Sequence, residues 1–103
     1  MTRLFVNAGS CGYTVSIGVE KDAARKYRLE MATECKHVRK LGEALTLLDR
    51  MDALKPIFAN PVYIAAAASL KHAACPIPSA ILKALEVEAG LNVPNDVEFK
   101  FER

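Results

Sequence analysis

Three cysteines, Cys11, Cys35 and Cys75, carry most of the reactive chemistry this chain can offer, and His72 stands three residues before the last of them. Thiolates bind zinc and iron, and they attack sulfur. Three cysteines and a histidine make a complete structural zinc set, and three cysteines with an open position suit an iron–sulfur cluster. Cys11 lies in the turn Gly9-Ser10-Cys11-Gly12. Two glycines there permit positive φ, and several backbone N–H groups could converge on an anion. Cys35 and Cys75 each stand at the start of a predicted helix, where free N–H groups and the helix dipole favour a thiolate. His37 falls in the first turn of the helix that follows Cys35.

The opposing reading is inert. Unpaired cysteines are among the most buried residues and often act as small hydrophobes. Cys35 keeps the parity of Tyr27, Leu29 and Met31, so it could face the core. The spacing matches no CxxC metal pair. A metal or cluster site, a reactive thiol at Cys75 and an inert set all stay open at this point.

The elements that must position these residues follow from periodicity. Leu4 to Ala8 predicts a first strand. Tyr13, Val15, Ile17 and Val19 alternate with Thr14, Ser16, Gly18 and Glu20, which predicts a second strand with one buried face. A turn over Lys21 to Arg25 leads to a third strand, in which Tyr27, Leu29 and Met31 alternate with Arg28 and Glu30. The period then changes. Val38, Leu41, Leu45 and Leu48 are three and four apart, predicting a helix with Thr33 as N-cap that runs to about Leu54, ahead of Pro56. Asn60-Pro61 predicts an N-cap and a first helical proline, opening a helix from Val62 to about Lys71. That helix is apolar nearly all round and reads as a buried core helix. Cys75-Pro76-Ile77-Pro78 opens a third helix with Ile81, Leu82, Leu85 and Ala89 as its buried stripe and Gly90 as its stop. After Pro94-Asn95-Asp96, the alternation of Val97, Phe99 and Phe101 with Glu98, Lys100 and Glu102 predicts a last strand.

The order βββααα-β predicts an α+β fold, an antiparallel sheet with three helices packed on one face, as a single domain over residues 1–103. If successive elements alternate in direction, as short connections favour, Cys11, Cys35, His72 and Cys75 all fall at one end.

Composition narrows the function classes. Hydrophobic residues make up 51% and charged residues 25%, an ordinary globular balance. A net charge of +2 marks no nucleic-acid binder, and Lys36 to Lys40 reads as a solvated face. No stretch is long and apolar enough to span a membrane, and the N-terminus lacks a signal peptide's apolar middle region, so a cytoplasmic location is expected. An odd number of cysteines in such a chain argues against a disulfide framework. There is no GxSxG, and the Ala8 to Gly12 turn has no Walker lysine and precedes a strand. Glu86 and Glu88 read as surface charge.

Two segments resemble known families. Cys75-Pro76-Ile77-Pro78, followed by a helix with Lys83, looks like the CPxP motif of TusA-like sulfur carriers; that resemblance implies a persulfide carried on Cys75. The stretch from His72 to Val97, with Leu82-Lys83, Glu86 and Pro94, is similar to the C-terminal domain of NifU-type iron–sulfur scaffolds. There a CxxCP precedes the helix, and here His72 replaces the first cysteine. Across its length the chain resembles small prokaryotic cysteine-containing domains with an AGxCG turn and a CPxP-type segment, which implies no activity.

The leading expectation is a small metal- or iron–sulfur-binding protein, holding zinc or a cluster on Cys11, Cys35 and Cys75 with His72 as fourth ligand. The alternatives are a sulfur-transfer or redox protein with Cys75 as nucleophile, and a non-catalytic interaction domain with inert cysteines. The last would use the outer sheet face at Thr14, Ser16, Arg28 and Glu30, or the first strand as a pairing edge. A protein partner or a homodimer fits any of these; nucleic acid and membrane do not.

Overall fold

A computed structural model describes residues 1–102. Four antiparallel strands lie in the order β1 (Thr2–Asn7), β2 (Thr14–Lys21), β3 (Tyr27–Thr33) and β4 (Leu47–Leu48). Three helices, α1 (Lys36–Ala44), α2 (Pro61–Ser69) and α3 (Ile77–Glu88), complete an α+β fold. Helix α3 packs on β1 and β2, α1 packs on β3, and α2 packs against both helices.

The alternation in β2 does what its period demands. Val15, Ile17 and Val19 are buried under the helices, while Thr14 and Glu20 face solvent. Tyr27 and Leu29 of β3 join them, and Arg28 and Glu30 stay outside. Ile77, Ile81, Ala84 and Leu85 of α3 and Val38 and Leu41 of α1 close the core from the other side. The β2–β3 turn is a tight hairpin. The Asp22 carboxylate accepts from the Ala24 and Lys26 N–H groups, and Arg25 takes a left-handed φ of 64°.

Four expectations need correction. Helix α1 ends at Ala44 rather than near Leu54. Leu48 is buried as expected, but as a strand residue opposite Tyr27. The Leu29 N–H donates to the Thr46 carbonyl, so sheet pairing captures the chain immediately after Leu45. A spacing of three from Leu45 to Leu48 fits a helix face, but the helix is capped at Leu45 and Leu48 is buried from a separate strand, which tertiary pairing decides. Thr33 is not the N-cap of α1. Cys35 holds that position, and Thr33 acts one step earlier, its hydroxyl accepting from the Cys35 N–H. Helix α2 buries only Val62, Ala66 and Ser69; Ile64, Ala67 and Ala68 are exposed, because its partners cover one face alone. Residues 97–101 form no strand. The fourth strand is β4, and Phe99 and Phe101 are 83% and 92% exposed.

Helix α2 begins as Asn60-Pro61 predicts. The Asn60 side chain accepts from the Val62 N–H at 3.0 Å, and Pro61 occupies the first turn. Asn60 is also 1% exposed, and its amide donates to the Asp52 carbonyl at 2.7 Å. One side chain therefore starts the helix and fastens it to the short 3-10 segment Arg50–Ala53.

Candidate functional site

The antiparallel register places Thr14 and Thr33 at the same end of the sheet, next to the Val15–Thr33 pair. The Thr33 hydroxyl donates to the Thr14 carbonyl at 2.9 Å while accepting from the Cys35 N–H at 3.2 Å. That hydroxyl ties the end of the Cys11 turn to the start of α1. The turn itself is a single 3-10 segment, Gly9–Cys11, between Gly9 at φ 81° and Gly12 at φ 77°. The Gly12 N–H closes it on the Gly9 carbonyl at 2.8 Å, and the Gly9 N–H is held by the Asn7 side chain. Glycine is needed at both ends because an L side chain rarely adopts such angles.

Helix α2 returns the chain to this end. Residues 70–76 turn over, with the Cys75 N–H bonded to the His72 carbonyl at 3.2 Å, and α3 departs from there. Cys11 is exposed, whereas Cys35 and Cys75 are half-buried against the core. Burial pushes the Cys75 thiol up from its ordinary value. The Ile77 N–H at the start of α3 pulls the other way, and charge on Cys35 and on Cys11 adds to the rise. The three cysteines come from separate elements far apart in sequence.

The candidate ligands are gathered to different degrees. The three cysteines share one end of the molecule. His72 belongs to the exposed turn before Cys75, and His37 is half-buried in the first turn of α1. Among the described residues, no three His, Cys, Asp or Glu side chains are grouped so that they could hold a metal ion as they stand. Surface grooves of about 250 and 480 Å³ lie elsewhere. The first runs between Tyr63, Ser79 and Lys83, and the second between Lys21, Arg25 and Arg50.

Sequence reasoning misjudged Glu88. Far from being free surface charge, its carboxylate accepts from the Thr2 hydroxyl at 2.8 Å and from the Lys21 N–H at 3.1 Å. It also lies 3.8 Å from the N-terminal ammonium. Partial burial alone would raise its pKa, but these bonds and the ammonium together hold it below the usual carboxylate range. Glu88 clips the end of α3 to β1 and β2, at the opposite end of the sheet from the cysteines. No local pattern announces such a contact, since its partners are 67 and 86 residues away.

Fold and site together define a small α+β domain with three unpaired cysteines at one end of its sheet. The chain belongs to DUF6951, a family of unknown function whose profile matches residues 2–101. No curated protein and no solved structure gives a match. No helix among the described residues is long and apolar enough to cross a membrane.

Proposed function

We propose that this protein binds a thiophilic centre, an iron–sulfur cluster or a zinc ion, through Cys11, Cys35 and Cys75, with His72 as the fourth ligand. The observation that carries this reading is that Cys11, Cys35 and Cys75 come from three elements that meet at one end of the fold. A bound metal ion takes cysteines as thiolates and would offset the burial that disfavours the Cys75 thiolate. Binding would draw the side chains together from the positions described above. The exposed Cys11 turn and the exposed loop before Cys75 leave room for that movement. The resemblance of residues 72–97 to the NifU-type scaffold domain supports the same chemistry, and a cytoplasmic setting would keep the thiols reduced.

A second reading makes Cys75 a sulfur carrier. The Ile77 N–H that favours its thiolate and the CPxP resemblance support it. Burial weighs against it, because a nucleophilic cysteine needs a depressed pKa and access.

Metal and sulfide analysis with an ultraviolet–visible spectrum, on protein purified without oxygen, tests the proposal. Stoichiometric iron with sulfide, or stoichiometric zinc, is expected, and replacing any one cysteine by serine should release it. Metal content unchanged in all three variants would sink the metal reading. Metal-free protein that takes up sulfur on Cys75 alone from a persulfide donor would favour the second.

A further inference from the structure

The segment after α3 has the construction of a strand without a sheet. Val97, Phe99 and Phe101 are 61%, 83% and 92% exposed. Lys100 and Glu98 pair at 3.2 Å, so these two side chains lie on one side of the chain. In a strand alternate residues fall on opposite sides, so strand pairing would set the two phenylalanines and Val97 together on the other. This would be an apolar row backed by a charged row, and no described residue covers its side chains. This tail is also part of the family's common domain, since the match runs to residue 101.

The sheet has the complementary defect. Strand β1 is an edge, paired only with β2. Its inward residues Leu4 and Val6 pack against the core yet remain half-exposed, because the sheet stops there. Its outward residues are Arg3, Phe5 and Asn7, all exposed. A strand added beside β1 would set one of its rows against Leu4 and Val6 and the other beside Arg3. The apolar row of the tail matches the first position, and Glu98 and Glu102 match Arg3 in charge at the second. Helix α3 ends beside Thr2, so the segment that follows it begins close to its own β1, yet residues 97–101 do not pair with that edge.

We propose that residues 97–101 are a donor strand for a second copy of this chain, completing a five-stranded sheet in each protomer of a two-fold dimer. Reciprocal exchange is self-complementary, so the assembly closes at two. Each aromatic side chain buries about 150–250 Å². With the surface it covers, and with both tails engaged, the contact reaches the roughly 1,200–2,000 Å² of a stable interface. Pairing also hides an edge and an apolar segment that would otherwise invite aggregation.

Sedimentation equilibrium of the intact chain should give twice the 11.3 kDa protomer mass. Hydrogen exchange should show slow amides in residues 98–101 and along β1, protected together and exposed together on dilution. The double variant Phe99→Asp/Phe101→Asp should weaken dimerisation by roughly a hundredfold or more, since buried aromatic anchors dominate such contacts. Its circular dichroism should lose only the small strand signal of the tail and otherwise keep the protomer's spectrum, because both side chains are exposed within the protomer. A dimer that persists in the double variant overturns the proposal. So does an intact chain that stays monomeric, whether its tail amides are protected by its own β1 or not protected at all.

Discussion

Replacing Asn60 by alanine removes three contacts at one buried point. The Val62 N–H loses its cap at 3.0 Å, and the Asp52 carbonyl loses a donor at 2.7 Å. The Lys55 carbonyl loses a longer contact at 3.3 Å. Loss of an N-cap costs about 0.5–2 kcal/mol. A buried carbonyl left without a partner costs about 1–3 kcal/mol more. Because Asn60 is 1% exposed, water cannot simply replace the amide. The expected loss is therefore about 2–4 kcal/mol, a large share of the roughly 5–15 kcal/mol that holds a domain folded. Thermal unfolding followed by circular dichroism should shift down by roughly 10–25 °C at this chain length. Asn60→Ser separates the two contributions. It keeps a cap but is too short to reach Asp52, so its loss should be about half as large. A loss below about 1 kcal/mol for Asn60→Ala, measured by urea unfolding, would refute the claim that this amide fastens α2 to the Arg50–Ala53 segment.

Other outcomes follow from the same structure. Alkylation of Cys75 should show a midpoint above the ordinary thiol value of 9.0, and Cys35→Ser should lower that midpoint without restoring it fully, since burial is the larger cause. The raised thiol pKa means that its contribution to stability is complete below the unfolded-state value and fades as pH rises through the folded one. Glu88 has the opposite sign: its lowered pKa contributes stability above the unfolded value of 4.5, lost as pH falls through the folded value. Glu88→Gln should therefore flatten acid unfolding in that window, and an unchanged acid limb would count against the clip. Gly42→Ala should raise stability by up to about 1 kcal/mol through helix propensity. The added methyl would lie 2.9 Å from the Met31 Cε, the movable end of a flexible side chain, so a clear loss would show that Met31 cannot give way.

Much of the fold was legible because local periodicity and global burial agree. Val15, Ile17 and Val19 read as one buried face and are one. Asn60-Pro61 and Cys75-Pro76 mark helix starts by side-chain chemistry that acts within a few residues. The failures lie where two structures satisfy one pattern. Leu45 and Leu48 fit a helix face, yet Leu48 is claimed by Tyr27 across the sheet. Val97, Phe99 and Phe101 alternate as a strand should, but a strand needs an edge to pair with, and no sequence pattern shows which edge is free. Glu88 could not be told from any other surface carboxylate, since its meaning rests on Thr2 and Lys21.

The candidate site divides the same way. By itself, the sequence determined the fold class and the local frames of Cys11, Cys35 and Cys75, because capping, glycine turns and proline act over short range. Only the tertiary structure decided that two of the three cysteines are half-buried and that Thr33 links the Cys11 turn to Cys35. Those relations depend on the register of β2 with β3 and on where α3 crosses the sheet, and packing across the whole domain sets both.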